Sequence, residues 1–350
     1  MKKIRIGLAG CGIYGTNLLR FLNRMQDRYE VSALMDIDSA VLHSAAALLD
    51  SKPELYTNFS DFLENRDLEA VIIATPNSVH TEQALAVMEK GLFLYLEKPV
   101  ACTFADCRKI AKKQQELNAN VMIGMQLRYG NVFSKAKELL EAGSIGPVRL
   151  IWYREFRSPF FPGSNGWRLH EETSGGTIVE KNVHHLDLFN WYIDSEPVSV
   201  FASGGADAVY QGGNMLDNAV VTIEYASGAR ACLGLSLFSA GCDQDLDFYI
   251  VGDKGVMYIF SDHITIKPNS GDTEEIVYAV KQELAELGHG GTEYSALSAF
   301  YEFITEGRKP YTGIREGILS VGMALCAQES IKEKRMVLLE EVLGKEEDRQ

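Results

Sequence analysis

Short apolar runs alternate with amphipathic segments through the first third of the chain. The apolar runs predict strands of a parallel sheet, because strands buried on both faces read as near-continuous hydrophobic stretches. The segments between them repeat apolar residues every three or four positions, as helices do. The predicted strands cover 4–9, 31–35, 70–74, 92–96 and 121–125, and the predicted helices cover 16–25, 78–90 and 103–117. This alternation indicates a doubly wound α/β domain with helices on both faces of its sheet.

The pattern changes after Met125. A predicted helix over 131–142 precedes a series of strands that are joined by short polar turns, as in an antiparallel sheet. These strands cover 148–157, 198–206, 219–225, 229–237, 245–252 and 256–260, and a helix over 176–193 packs on them. We therefore predict two domains, 1–125 and 126–350. The first is an α/β Rossmann domain, and the second is an α+β domain whose open, largely antiparallel sheet keeps one face for a partner subunit.

A glycine-rich turn follows the first predicted strand. Gly10, Gly12 and Gly15 form a GxGxxG motif between that strand and the next helix. In a dinucleotide-binding unit these glycines permit the tight turn, the approach of a pyrophosphate and the packing of helix on strand. The pyrophosphate then lies at the helix N-terminus, where unpaired N–H groups and the helix dipole favour an anion. Ile13 and Tyr14 lie inside the motif and are also predicted to contact the cofactor.

Asp36 ends the second predicted strand, 21 positions beyond Gly15. A Rossmann unit places at this point the acid that hydrogen-bonds the ribose hydroxyls. No arginine follows that would receive a 2′-phosphate, so the sequence favours NAD over NADP. A competing interpretation makes Asp36 the N-cap of a helix that begins near Asp38.

Two further strand ends carry polar residues. Ligands of doubly wound sheets bind at the carboxyl ends of the strands, so these residues face a crevice. Thr75, Pro76 and Asn77 follow one strand and are predicted cofactor contacts. His80 lies three residues into the start of the next helix, where it fits a capping or packing role as well as a cofactor contact.

The run Leu94 to Pro99 ends in an acid, a base and a proline. Successive strand residues point to opposite faces, so Glu97 and Lys98 need not neutralise each other. Because it lies at a strand end, we expect Lys98 to face the crevice rather than the core. The competing interpretation is a surface lysine that begins an ordinary loop.

The predicted helix over 176–193 carries Glu180 and His184, which are four positions apart and share a helix face. Asp187 continues that face. A carboxylate beside a histidine fixes its tautomer and raises its basicity, as a general base near neutral pH requires. His185 projects about 100° away and is expected to pack elsewhere. A buried structural histidine is the competing interpretation, and the absence of an HExxH motif or a cysteine cluster predicts no metal site.

Composition narrows the classes of function. The chain has 350 residues and a net charge of −14 from 34 basic and 48 acidic residues. This balance argues against nucleic acid and against anionic membrane surfaces as partners. Six scattered cysteines are typical of reduced thiols in a cytosolic protein. No run approaches the roughly 18 apolar residues of a membrane span, so we expect a soluble, cytoplasmic protein.

These motifs, taken in order, resemble the Gfo/Idh/MocA family of oxidoreductases, which act on sugars and cyclitols. The resemblance rests on GCGIYG, Asp36, ATPNSVH, EKP and GWR…SGGTIVEKNVHHLD, and it extends to the closing segments 299–304 and 313–317. It implies an N-terminal Rossmann domain and a C-terminal α/β domain whose open sheet forms a homodimer or homotetramer. It also implies a tightly held nicotinamide cofactor.

The resemblance implies roles for individual residues. Lys98 matches a catalytic lysine that contacts the substrate, and Glu97 its neighbour near the nicotinamide ribose. His184 matches the histidine that exchanges a proton with the reacting hydroxyl. Glu180 stands where the family usually has aspartate, and Lys181 adds a cation beside the site. These departures indicate a subgroup with its own substrate.

We therefore expect an NAD-dependent dehydrogenase that acts on a secondary hydroxyl of a sugar or cyclitol. Further predicted substrate contacts are Arg128, Tyr153, Trp167 and Arg168, although Arg168 fits a salt bridge equally well. Lys98 would stabilise the developing alkoxide as an ammonium, or share the proton transfer if its pKa is lowered. Two alternatives are an NAD-recycling hydrolase or lyase on the same scaffold and a non-enzymatic NAD-bound sensor.

Overall fold

The computed structural model describes residues 2–239, 248–261, 263–277 and 291–344. Within these ranges the first sheet has six parallel strands in the order β3-β2-β1-β4-β5-β6. Its strands are β1 Ile4–Ala9, β2 Tyr29–Met35, β3 Glu54–Tyr56, β4 Ala70–Ile73, β5 Phe93–Glu97 and β6 Val121–Gly124. The strand order reverses between β1 and β4, which places a ligand crevice at the carboxyl ends of these strands.

Helices connect the strands of the first sheet. They are α1 Ile13–Arg24, α2 Ser39–Ala46, α3 Phe59–Leu63, α4 His80–Glu89 and α5 Phe104–Leu117. Every residue of β4 is buried, as expected for a strand covered on both faces. The predicted doubly wound parallel sheet is confirmed.

The second sheet is mixed and mostly antiparallel. Its strands in the described ranges are β7 Val148–Phe156, β8 Pro197–Gly205, β9 Asn218–Tyr225, β10 Arg230–Ser236, β11 Phe248–Gly252, β12 Gly255–Ile259, β13 His263–Pro268, β14 Glu274–Val277 and β15 Val337–Leu338. Their order is β14-β13-β12-β11-β7-β10-β9-β8-β15, and β7 and β10 run parallel to each other. The predicted open, largely antiparallel sheet is confirmed. The predicted strand over 245–252 begins outside the described residues, which resume at Phe248.

Helices cover one face of the second sheet. In the described ranges, the helices after β6 are α6 Asn131–Glu141, α7 Glu171–Ser174, α8 Val183–Ile193, α9 Thr292–Glu306, α10 Ile314–Glu333 and α11 Leu339–Leu343. Helix α10 packs on β8 and α8, and α8 packs on β7. The opposite face exposes apolar side chains, among them Trp152, Phe201 and Val220. In the described ranges, no helix combines the length and the apolar character needed to cross a bilayer.

Helix α9 belongs to the predicted second domain in sequence but packs against the first sheet. The Tyr29 hydroxyl donates to the carbonyl of Leu297 at 2.7 Å, and the Tyr301 hydroxyl donates to the carbonyl of Lys2 at 2.8 Å. Buried residues of α9 join the core formed by β1, β2 and α1. The chain therefore returns to its first domain after building most of the second sheet.

Candidate active site

The glycine turn between β1 and α1 leaves its middle residue facing open space. Gly10 has a φ of +91°, a conformation that glycine adopts without steric cost. A Cβ placed on Gly15 would lie 1.8 Å from the carbonyl oxygen of Gly10, so only glycine allows this close packing of helix on strand. A Cβ placed on Gly12 would meet no described atom within 4 Å. The backbone at Gly12 is therefore open to an approaching ligand.

The N-terminus of α1 and the end of β2 complete this turn. No side chain caps the first N–H groups of α1. Asp36 follows β2 and accepts hydrogen bonds from the N–H groups of Cys11 at 2.8 Å and Asp38 at 3.0 Å. Asp38, not Asp36, caps α2. Open space at Gly12, uncapped N–H groups and an adjacent carboxylate fit the pyrophosphate and ribose of a dinucleotide, and Ile13 is exposed beside them.

His80 joins two strand-end loops. It is fully buried, with Nδ1 at 2.8 Å from the carbonyl of Pro99 and Nε2 at 3.1 Å from the carbonyl of Thr75. Burial lowers the pKa of His80 to about 4, so the imidazole is neutral near pH 7. Both ring nitrogens face protein carbonyls. This corrects the predicted cofactor contact in favour of the packing role.

Polar side chains of the loop after β4 form hydrogen bonds with neighbouring elements. The Thr75 hydroxyl donates to Gln83 Oε1 at 2.6 Å. The Asn77 amide is buried and donates to the carbonyl of Ser174 at 2.8 Å, at the end of α7. Asn77 therefore connects the two domains, and the backbone from Thr75 through Pro76 stays at the rim of the crevice.

Glu97 and Tyr14 lie beneath the crevice. The Glu97 carboxylate is buried against β6, where a Cβ on Gly124 would lie 2.7 Å from its Oε1. Burial raises the pKa of Glu97 to about 8, although Lys98 opposes the rise. Burial, and secondarily the Glu97 carboxylate, raise the pKa of Tyr14 well above its ordinary value. Glu97, which is buried, and Tyr14, which is partly buried, therefore both favour their uncharged forms near the end of β5.

Lys98 reaches from the end of β5 into the second domain. Its Nζ donates to the backbone carbonyl of Glu180 at 2.7 Å and lies 3.7 Å from Glu180 Oε1. Burial lowers the pKa of Lys98; Glu180 opposes this effect and Arg168 adds to it. The lysine and the glutamate predicted from two distant motifs thus meet at one cleft.

The segment that carries Glu180 is not the regular helix predicted over 176–193. Ile178–Asn182 forms a π-helical turn, and α8 begins at Val183. A π turn is wider than an α turn and is frequent at functional sites. Because the turn is wider, the four-residue spacing of Glu180 and His184 does not stack the two side chains as in an α-helix. His184 lies in the first turn of α8 and is 6% exposed.

Glu180 also forms a salt bridge with Arg168. The Arg168 guanidinium donates to Glu180 Oε1 from Nε at 3.0 Å, and its terminal nitrogen lies 2.8 Å from the same oxygen. Burial would raise the pKa of Glu180, but Lys98 and Arg168 hold it below its usual range. The structure therefore shows the salt bridge of Arg168, while its substrate contact stays a prediction. Trp167 precedes it, partly exposed, in the 3₁₀ segment Ser164–Leu169.

Arg128 is placed differently from the prediction. It forms a bidentate pair with Asp187, with Nε–Oδ2 and NH2–Oδ1 distances of 2.7 Å, and donates to the carbonyl of Tyr311 at 3.0 Å. Both side chains are buried. Arg128 is therefore a structural ion-pair residue, which corrects its predicted substrate contact. The Asp187 carboxylate, which lies on the predicted face of His184, is engaged in this pair.

The end of β7 supplies charged residues that sequence analysis missed. Alternate residues of β7, namely Ile151, Tyr153 and Glu155, face α8, and Arg157 follows the end of the strand in the same alternation. Tyr153 is a predicted substrate contact, but it is only 1% exposed, so a substrate does not reach its ring directly. Its hydroxyl donates to Glu155 Oε2 at 2.9 Å, and its ring stacks on His185 with centroids 4.4 Å apart.

Glu155 is the second carboxylate of the cleft. Its Oε1 lies 3.0 Å from Lys181 Nζ and 3.7 Å from a terminal nitrogen of Arg157. Burial would raise the pKa of Glu155, but Lys181 and His185 lower it to about 2. The sequence signal for Glu155 and Arg157 was their spacing: they continue the alternate positions of the buried Ile151 and Tyr153. In the described ranges, no group of three His, Cys, Asp or Glu side chains is arranged to hold a metal ion.

Comparisons with known proteins cover both domains. The oxidoreductase-family model for an NAD-binding Rossmann fold matches residues 4–125, and the model for the C-terminal alpha/beta domain matches residues 137–339. A myo-inositol 2-dehydrogenase of Thermotoga maritima is 24% identical over 97% of this chain and 100% of its own length.

Two solved structures share the fold. A levoglucosan dehydrogenase in complex with NADH and levoglucosan has a TM-score of 0.86 at 19% identity, covering 97% of this chain and all of its own. The WlbA dehydrogenase of Bordetella pertussis, in complex with NADH and UDP-GlcNAcA, has a TM-score of 0.79 at 21% identity, covering 96% of this chain and 99% of its own.

Proposed function

Because this chain belongs to the Gfo/Idh/MocA oxidoreductase family, we propose that it oxidises a secondary hydroxyl of a sugar or cyclitol with NAD. The observation that carries the proposal is the 2.7 Å bond from Lys98 Nζ to the carbonyl of Glu180. It joins the end of β5 in the dinucleotide-binding domain to the π-helical turn of the second domain that carries Glu180. The curated relative named myo-inositol 2-dehydrogenase supports the substrate class.

The glycine turn and Asp36 would hold the cofactor. The open backbone at Gly12 and the uncapped α1 suit the pyrophosphate, and the Asp36 carboxylate suits the ribose hydroxyls. A carboxylate at this position would repel the 2′-phosphate of NADP, which favours NAD. A bound nicotinamide supplies the hydride acceptor.

The second domain and Lys98 would manage the proton of the reacting hydroxyl. His184, buried in the first turn of α8, is the proposed proton acceptor. Lys98, held by Glu180, would stabilise the negative charge that develops on the substrate oxygen. Since burial lowers the pKa of Lys98, its amine is also suited to share the proton. Arg168 and Trp167 would flank the remaining hydroxyls.

The proposal is tested by supplying NAD with a panel of inositols and pyranoses and following NADH absorbance. At least one polyol should yield NADH and an equimolar ketone, and initial rates should be higher with NAD than with NADP. An intact, NAD-binding protein that forms no NADH across the panel would overturn the proposal. Altered product without net NADH would indicate instead the redox-neutral hydrolase or lyase chemistry.

A further inference from the structure

Cations outnumber carboxylates in the described part of the cleft. The Glu180 carboxylate is shared by two cations, with nitrogen–oxygen distances of 3.7 Å to Lys98 and 2.8 Å to Arg168. One carboxylate thus provides the counter-charge for two basic side chains. If Lys98 is neutral this cluster is balanced, and if Lys98 is protonated the cluster carries one surplus positive charge.

The Glu155 cluster repeats this arrangement with a surplus that does not depend on Lys98. Glu155 Oε1 is 3.0 Å from Lys181 and 3.7 Å from Arg157. His185 Nε2 lies 3.5 Å from the other oxygen, but burial lowers the pKa of His185 to about 4 and leaves it neutral near pH 7. The cluster therefore carries two cations and one carboxylate.

The two clusters converge on one aromatic ring. The guanidinium carbons of Arg157 and Arg168 lie 5.7 and 5.1 Å from the ring centroid of Phe160, which is buried. The backbone N–H of Phe160 is fixed by the Tyr210 hydroxyl at 3.1 Å. The arginine side chains remain 26% and 25% exposed, so a ligand in the cleft can reach them.

This local surplus contrasts with the whole chain, whose net charge is −14. The overall field repels anions, so recognition of an anionic ligand has to come from cations at the site itself. Confining like charges without enough counter-charge is unfavourable, and a bound anion would relieve it. A guanidinium edge matches the planar geometry of a carboxylate, and one or two surplus charges match a monoanion better than several phosphates.

We propose that the substrate is a sugar or cyclitol derivative that bears a carboxylate, bound by Arg157 and Lys181 at the end of β7. The proposal rests on the dehydrogenase function given above. The reacting hydroxyl then lies between Lys98 and His184, and the carboxylate is at the opposite side of the same cleft. Specificity for an acidic sugar is thereby assigned to a cation pair outside the residues that handle the proton.

Calorimetric titration of the NADH-loaded protein with matched sugars tests this directly. The pairs are D-glucuronate with D-glucose and D-galacturonate with D-galactose, which differ by a carboxylate in place of a hydroxymethyl group. In at least one pair the acid should bind about tenfold tighter or more. Equal or weaker binding of the acid in both pairs, including no binding at all, would overturn the proposal. Tighter binding of the 6-phosphates of the same sugars than of the uronates would also overturn it.

Substitutions of Arg157 test whether the preference for the acid depends on the proposed pair of cations. Arg157→Gln should remove most of the preference for the acid while leaving the affinity for the neutral sugar within about twofold, and Arg157→Lys should retain part of it. Arg149→Gln is the matched control, because Arg149 lies near the start of β7, the strand that Arg157 follows, and pairs on the surface with Asp253 at 2.7 Å. A preference that survives in Arg157→Gln would contradict the assignment. Since binding needs no turnover, uronate preference without NADH formation would overturn only the dehydrogenase function.

Discussion

Lys98 is the residue on which the chemistry of the site depends. It follows β5, in which every residue after Phe93 is buried, and its own side chain is 18% exposed. Its ammonium therefore loses most of its hydration, and the carbonyl and carboxylate of Glu180 restore only part of the lost stabilisation. The result is a lysine whose pKa is lowered but whose amine is held at a fixed position. A fixed, easily deprotonated amine suits both stabilisation of an alkoxide and exchange of a proton.

Lys98→Met tests this role with an unbranched side chain that is one atom shorter. The thioether fills most of the same space but cannot donate a hydrogen bond or hold a charge, so kcat should fall by about 10²- to 10³-fold. NADH affinity, measured by fluorescence titration, should change by less than about threefold if the amine acts mainly on the substrate. Arg149→Gln should retain full turnover. Undiminished kcat in Lys98→Met would exclude Lys98 from the reaction.

The glycine turn shows how one short element serves both stability and binding. Gly15 is required by the fold, because helix α1 approaches the carbonyl of Gly10. Gly12 has no such neighbour among the described atoms, and its φ of −64° is accessible to any residue. Its small size therefore serves a ligand rather than the packing of the protein.

Two alanine substitutions separate these requirements. Gly15→Ala should lower the free energy of unfolding by about 2 kcal/mol or more, through the overlap with Gly10. Gly12→Ala should leave the denaturation midpoint nearly unchanged yet weaken NADH binding by about tenfold or more, because its methyl group occupies the pyrophosphate position. Calorimetry and denaturant titration measure both effects. If Gly12→Ala binds NADH normally, the turn is not the cofactor cradle.

Asp217 stabilises the loop that precedes β9. Its carboxylate accepts hydrogen bonds from four successive backbone N–H groups, of Asp207, Ala208, Val209 and Tyr210. Burial would raise the pKa of Asp217, but these donors and the amide of Asn218 lower it to about 2. The same loop carries the Tyr210 hydroxyl that fixes Phe160 beneath the two site arginines.

Asp217→Asn should lower the free energy of unfolding by about 2 kcal/mol at pH 7. The native pKa lies below the ordinary value near 4, so the charged form stabilises the fold above about pH 4. This contribution is lost as the pH falls towards 2. The difference between wild type and variant, from urea titrations, should therefore shrink by about half at pH 3. A difference that is independent of pH would show that the charge of Asp217 contributes nothing.

Sequence patterns predicted the positions of the helices and strands better than they predicted which face of each element is turned towards the site. The glycine turn, the strand before Lys98 and the position of Asp36 were all predictable, because each depends on local spacing. Glu155 and Arg157 were not, since the inward face of β7 is fixed only by its packing on α8. The substrate-binding prediction for Arg128 was wrong because a carboxylate 59 positions away pairs with it.

At the scale of the molecule, the open face of the second sheet presents apolar side chains to solvent. Trp152 on β7 is 50% exposed and lies opposite Tyr249 on β11, which is also exposed. Phe201 and Val220 continue apolar exposure along the sheet. Apolar side chains aligned on a flat sheet face favour association with a second copy, so we expect a homodimer or homotetramer.

Trp152→Glu should shift this equilibrium towards smaller species, because a charge at the centre of the face cannot be buried without a partner. Sedimentation velocity of wild type and variant at equal concentration measures the shift. Leu117→Glu is the control, since Leu117 is similarly exposed but lies at the end of α5 in the first domain. A wild-type protein that sediments as a monomer at micromolar concentration would contradict the expected assembly.

The central claim is that a hydride passes from a polyol carbon to a nicotinamide held beside Lys98 and His184. The most direct measurement is mass spectrometry of the NADH formed from a polyol deuterated at its carbinol carbon. We predict one deuterium in each NADH molecule, formed about 10²- to 10³-fold more slowly by Lys98→Met and at an unchanged rate by Arg149→Gln. NADH without deuterium, or a deuterated polyol returned unchanged by the NAD-loaded protein, would contradict the account.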